Sequence, residues 1–142
     1  MEIKIQKLHP EAALPRYGSA EAAGADLCAL EALRIPPGAT VLARTGLAME
    51  IPAGYGGFIF ARSGLATKRG LAPANKVGVI DSDYRGEVLV SLYNQSGDVQ
   101  QIEKGERIAQ LVLLPCPQAV FTESALSETE RGEGGFGSTG RK

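Results

Sequence analysis

Residues 75–90 read NKVGVIDSDYRGEVLV, and here an apolar run meets a carboxylate. Val77, Val79 and Ile80 lead directly into Asp81, and Asp83 follows before a turn at Tyr84-Arg85-Gly86. A carboxylate at the end of an apolar strand loses part of its hydration, which favours its protonated form and makes it a better base. The competing reading is architectural. Asp often forms turns by bonding local backbone, and this covers Asp81, Asp83 and also Asp26 in AGADLCA.

Residues 61–64, ARSG, offer an anion site. With Ser63 as N-cap of a short helix, the first amides, the Ser63 hydroxyl and the Arg62 guanidinium make a phosphate cradle. The plainer alternative is a capped surface helix with a solvated arginine. In GERIAQLV, residues 105–112, strict strand alternation puts Arg107 and Gln110 on opposite faces. They share one role only if the strand carries a bulge.

Other chemistries are excluded. The single histidine, His9, and the lack of G-x-S-x-G leave no Ser-His-Asp triad. No Cys/His cluster has zinc spacing. Hydrolysis would therefore rest on carboxylates, arginines, hydroxyls and a hard metal ion. RGEGGFGSTG, 131–140, contains G-x-G-x-x-G at Gly132, Gly134 and Gly137. A dinucleotide loop needs a strand before it and a helix after it. Here a polar stretch precedes it and five residues follow Gly137, so that reading fails.

The elements that must position these residues are short strands. Turn signals recur every eight to sixteen residues, at PPG, PAGYGG, DYRG, NQSGD and EKGE. Apolar runs such as TVLA, GFIFA, EVLVSLY and IAQLVLLP lie between them. Val88, Val90 and Leu92 share one side of a period-2 segment, with Leu89, Ser91 and Tyr93 on the other. This pattern predicts an all-β sandwich or barrel-like fold. One short helix is expected over RSGLATKRG, ended by Lys68, Arg69 and Gly70.

The 142 residues suit one domain, and 44% hydrophobic with 22% charged content argues against global disorder. A polar, glycine-rich stretch follows Pro117. The boundary is set at a core of 1–121 and a flexible C-terminal arm of 122–142. A net charge of −1 does not advertise nucleic acid or anionic membrane as a partner. No signal peptide or membrane-length apolar run is seen. Cys28 and Cys116 lack C-x-x-C partners and read as small buried hydrophobes, so a cytoplasmic or other reducing location is expected.

AGADLCA, ARSGLATKRGL, GVIDSDYRGEV, KGERIAQLV and RGEGGFGSTG occur in the order and spacing of five motifs. Together they resemble the trimeric dUTPase family over residues 22–140. The third and fifth are highly specific. Ala61 stands where a proline is frequent, and Ala25 and Cys28 vary around Asp26, without loss of a functional group.

The resemblance implies a jelly-roll-like β-barrel or sandwich, assembled as a homotrimer with active sites at subunit interfaces. It implies hydrolysis of dUTP to dUMP and pyrophosphate with Mg²⁺, which limits uracil incorporation into DNA and supplies dUMP for thymidylate synthesis. Asp81 resembles the residue that orients and deprotonates the attacking water. Asn75 and the backbone of Gly78, Val79 and Ile80 look like the uracil reader. Tyr84 looks like the ring under the deoxyribose, and Leu89 like a residue on the return strand of the same hairpin. Arg62, Ser63, Gly64 and Gln110 resemble phosphate contacts from other subunits. Asp26 resembles a residue near the metal's water shell rather than a direct ligand. In the arm, Arg131 and Ser138 would meet phosphates, and Phe136, followed by Gly137, would stack on the base. The role of Arg107, structural or phosphate-contacting, stays open. The nearest rival is the related dCTP deaminase, and a more distant one is a non-enzymatic jelly-roll binding module.

Overall fold

The structure is a computed structural model, and it describes residues 1–135; Phe136, Gly137 and Ser138 lie outside the described residues. Twelve strands and one helix follow in order among the described residues. They are β1 (Lys4–Lys7), β2 (Arg16–Tyr17), β3 (Ala25–Cys28), β4 (Leu33–Ile35), β5 (Thr40–Arg44), β6 (Leu47–Glu50) and β7 (Tyr55–Ala61). Then come α1 (Ser63–Arg69), β8 (Leu71–Pro73), β9 (Gly78–Ile80), β10 (Leu89–Asn94), β11 (Gln100–Ile102) and β12 (Arg107–Pro115). A five-stranded sheet in the order β2-β3-β12-β7-β9 faces a three-stranded sheet, β5-β10-β8, and the pairs β1-β6 and β11-β4 complete the sandwich. The architecture is the expected jelly-roll type, and its sheets do not close into a barrel among the described residues.

Alternation decides which side chains form the core. In β10, Val90, Leu92 and Asn94 are buried while Leu89, Ser91 and Tyr93 face outward, as the period-2 pattern requires. Leu27, Ile59 and Leu111 of the larger sheet meet Val90 and Leu92 of the smaller one in a single cluster. The polar Asn94 is tolerated at full burial because its amide is satisfied. It donates to Ile35 O (2.9 Å) and Asp98 O (2.8 Å) and accepts from Ser96 N (2.9 Å). That is why NQSGD turns where it does.

Helix α1 ends as expected, with Lys68 and Arg69 in its last turn and Gly70 at φ 65°, a left-handed angle that glycine adopts without steric cost. Its start differs from expectation. Arg62, not Ser63, is the N-cap, with extended φ −88° and ψ 129°, and no side chain caps the helix. The Arg62 backbone continues the line of β7, so the first helical angles fall on Ser63 itself. At the other end, Arg69 donates to Gln100 Oε1 (3.1 Å), to Gln101 O and to Glu106, which ties α1 to the β11–β12 turn.

Two other expectations are corrected. Cys28 and Cys116 are both free thiols of intermediate burial rather than core residues, because each sits at the end of a strand beside a cleft. The chain from 78 to 94 is not a paired hairpin. β9 pairs with β7, whereas β10 pairs with β5 and β8. The 81–88 loop therefore crosses from one sheet to the other.

Candidate functional site

β9 is the edge strand of its sheet, bonded on one side only. An edge strand presents main-chain N–H and C=O groups with no ladder partner. Gly78, Val79 and Ile80 form this edge: Ile80 points into the core, while the Val79 side chain is 64% exposed. Asn75 sits exposed just before it, at a tight turn in which Lys76 N donates to Pro73 O (3.0 Å) and Lys76 takes φ 66°. A left-handed lysine is an uncommon backbone state, retained where the surroundings impose it.

Asp81 follows β9 directly and lines a cleft of about 770 Å³ with Tyr55, Gly56, Ser82 and Gln118. It is exposed, so the desolvation expected from its place after an apolar strand is not supplied by its own chain. Tyr84 N donates to Asp81 O (3.1 Å), which closes the turn, and Asp83 lies inside it. The Tyr84 ring, 45% exposed, folds back so that its hydroxyl donates to Glu87 O (3.0 Å). A Cβ on Gly86 would lie 2.4 Å from that hydroxyl and 2.6 Å from the ring carbon bearing it, so only glycine admits this ring position. Leu89 begins β10 at the far end of the loop, partly exposed.

A second group gathers on β3, β7 and β12. Asp26 is buried at 8% exposure, and both of its oxygens are bonded. Oδ1 accepts from Arg62 Nε at 2.8 Å and Oδ2 from Arg107 Nη1 at 3.2 Å. Gln110 stands opposite Asp26 on one side and Phe60 on the other. The β3–β12 register shifts between Arg107 and Ala109, and this bulge puts Arg107 on the same outer face as Gln110. Ile108 and Ala109 are both buried, so adjacent apolar residues at 108–109 were the sequence signal for the bulge. Ser63 and Gly64 are exposed beyond the end of β7, with open space over Gly64.

The two groups do not meet within one chain. Ile80 pairs with Gly57 near the Tyr55 end of β7, and Arg62 follows the other end. At roughly 3.3 Å per residue, about 20 Å separates Asp81 from Arg62, more than their side chains span. Arg131, exposed, donates from Nε to Gly134 O (2.7 Å), and among the described residues the hydrogen bonds of 117–135 are all local. Among the described residues no three His, Cys, Asp or Glu side chains converge as a metal cage. Asp26, held between two guanidiniums, is poorly placed to ligate a bare dication. The donor set suits Mg²⁺ that arrives on phosphate oxygens and keeps its waters.

The fold and the site together define a β-sandwich protein with an open backbone edge beside a carboxylate and an arginine-rich patch elsewhere. A family model described as dUTPase matches residues 10–140. The chain is 53% identical over 142 residues to the deoxyuridine 5'-triphosphate nucleotidohydrolase of Nautilia profundicola, covering 99% of this chain and 100% of that one. It is 52% identical to the enzyme of the same name from Desulfitobacterium hafniense, covering 99% and 97%. A Staphylococcus bacteriophage 80alpha dUTPase solved with dUPNHPP superposes at a TM-score of 0.88, with 30% identity and 98% of each chain covered. The chain belongs to the dUTPase family. No helix among the described residues is long and apolar enough to cross a membrane.

Proposed function

We propose that the protein hydrolyses dUTP to dUMP and pyrophosphate, as a homotrimer whose sites combine the β9–β10 region of one copy with the Asp26–Arg62–Gln110 patch of another. The observation that carries this reading is the unpaired edge of β9, flanked by Asn75, Asp81 and Tyr84. Uracil presents O2, N3–H and O4 along one side. Backbone amides and a carbonyl of Gly78, Val79 and Ile80, with the Asn75 amide, can pair with all of it. Mismatched bases leave buried groups unpaired, which is a strong basis for rejection.

With the base on that edge, Asp81 lies nearest the α-phosphorus. Asp81 accepts a proton from a water as the water oxygen bonds to that phosphorus. The bond from the α-phosphorus to the bridging oxygen breaks, and pyrophosphate leaves with the electron pair. No covalent intermediate is required. Arg62, Ser63, Gly64 and Gln110 of a second copy hold the phosphates, with Arg131 and Ser138 of the arm, while Phe136 and Gly137 close on the base. Asp26 would stand near the water shell of Mg²⁺ bound with the nucleotide, and the ion would supply shielding of phosphate charge. Packing of the second copy supplies the desolvation that Asp81 lacks alone.

Tyr84 sets sugar selectivity in this reading, since its ring against C2′ leaves no room or partner for a ribose hydroxyl. Tyr84→Ala should lower the dUTP/UTP preference in kcat/KM by about tenfold or more. Gly86→Ala should do the same, because the added methyl displaces the ring. An unchanged preference in both variants removes Tyr84 from this role.

A pyrophosphate-release screen across nucleoside triphosphates tests the function as a whole. Release from dUTP, with little from dTTP, dCTP or UTP, is expected. Ammonia release from dCTP would place the chain with the deaminases instead.

A further inference from the structure

The 81–88 loop starts at Asp81, carries the Tyr84 ring near its middle and crosses between the two sheets. Inside it, Tyr84 N donates to Asp81 O (3.1 Å), and Arg85 Nη1 donates to Ser82 O (2.7 Å) and Tyr84 O (3.0 Å). These bonds shape the turn but fasten it to nothing else. Among the described residues, every hydrogen bond tying the loop to another part of the chain comes from Glu87 or Val88. All of them end on residues 44–47.

Glu87 Oε1 accepts from Gly46 N at 2.8 Å, and both carboxylate oxygens accept from Arg44 Nε at 3.2 Å. The Glu87 side chain is 19% exposed against 45% for Arg44, so the Gly46 amide holds it more firmly than a half-screened ion pair can. The receiving turn is itself fixed. Thr45 and Leu47 are buried, and Gly46, at φ 70°, accepts from Leu8 N (2.7 Å). A Cβ on Gly46 would lie 2.9 Å from that of Ala12, so the turn is seated directly against its neighbour. Val88 N donates to Leu47 O (2.8 Å). A planar trans peptide points its N–H and C=O opposite ways, so this bond aims Glu87 O outward, where it accepts from the Tyr84 hydroxyl (3.0 Å). One peptide unit thus joins the core turn to the ring, and the Glu87 carboxylate is its second point of attachment.

We propose that Glu87 is a positioning residue for sugar selectivity: its carboxylate, bound to Gly46 N and Arg44, fixes the peptide that holds the Tyr84 ring. The proposal rests on the reading of Tyr84 as the residue that rejects a ribose hydroxyl. It extends that reading to residues 44–46, which meet no proposed substrate group.

The test is calorimetric binding of the α,β-imido analogues of dUTP and UTP to the full-length protein with Mg²⁺. Glu87→Ala should reduce the preference for the deoxy analogue by about three- to tenfold, the span of one hydrogen bond. Glu87→Gln keeps an oxygen for Gly46 N and should stay within about twofold of wild type. In a Tyr84→Phe background, which lacks the hydroxyl, Glu87→Ala should change the preference by less than about twofold. Should Glu87→Ala not fold, Glu87→Asp serves in its place: one methylene short of Gly46 N, it should lower the preference by about twofold or more. A merely structural glutamate would lower the melting temperature and weaken both analogues together, their ratio unmoved. That unmoved ratio overturns the proposal, as does an equal loss in the Tyr84 and Phe backgrounds, or a wild type that binds both analogues alike. A wild type that prefers the deoxy analogue but does not hydrolyse dUTP would sink the hydrolytic reading and leave this one standing.

Discussion

Replacing Asp81 by Asn should reduce kcat by roughly 10²- to 10⁴-fold, the usual contribution of a positioned general base. An amide has nearly the carboxylate's shape but cannot take a proton from water. Asp81 makes no side-chain hydrogen bond among the described residues, and it is exposed in the single chain. The substitution therefore removes no structural contact, and binding of a non-hydrolysable dUTP analogue should persist. Asp83→Asn is the matched control in the same turn, and it should cost far less. The assignment of the base is wrong if Asp83→Asn proves the more damaging change in a single-turnover assay.

Truncation before Arg131 should be the second large effect. The removed stretch carries Arg131, Phe136 and Ser138, two proposed phosphate contacts and one proposed stacking ring. Base–aromatic stacking alone is worth roughly 1–3 kcal/mol. Phe136→Ala should then lower kcat/KM by about five- to 150-fold, and the truncation by more. The described part, 131–135, bonds only within itself and to Thr129, so the melting temperature should stay within about 1 °C of wild type. The chain contains no tryptophan, and Phe136→Trp would make a sole emission reporter. Its fluorescence should change when the analogue and Mg²⁺ are added. A truncated protein with normal turnover, or a reporter silent while the analogue binds, contradicts the proposed part played by the arm.

Much of this was legible in the residues because it depends on local rules. The alternation of β10 and the Lys68-Arg69-Gly70 end of α1 follow from period and from glycine's freedom at positive φ. The bulge in β12 was legible only as a condition, since Arg107 and Gln110 can share a face in no other way. What was missed depends on partners distant in sequence. β9 and β10 are neighbours in the chain, and a hairpin is the default for such neighbours. Yet Phe58 claims Val79, and Ala43 claims Val90, so the two strands enter different sheets. The burial of Asp26 was invisible for the same reason, because its partners Arg62 and Arg107 stand 36 and 81 residues away. The need for Gly86 lies in the fold-back of one ring, which no spacing rule records.

The central claim is that the base-reading edge and the arginine patch, at opposite ends of β7, work together only between copies. Complementation tests it directly. Asp81→Asn and Arg62→Ala chains should each be nearly inactive alone. When co-expressed in equal amounts and assembled at random into a closed ring, about a quarter of the shared sites receive both intact halves. The mixture should therefore recover about a quarter of wild-type dUTP turnover per site. If each site were built within one chain, every site would carry one lesion, and the mixture would stay as inactive as its parents.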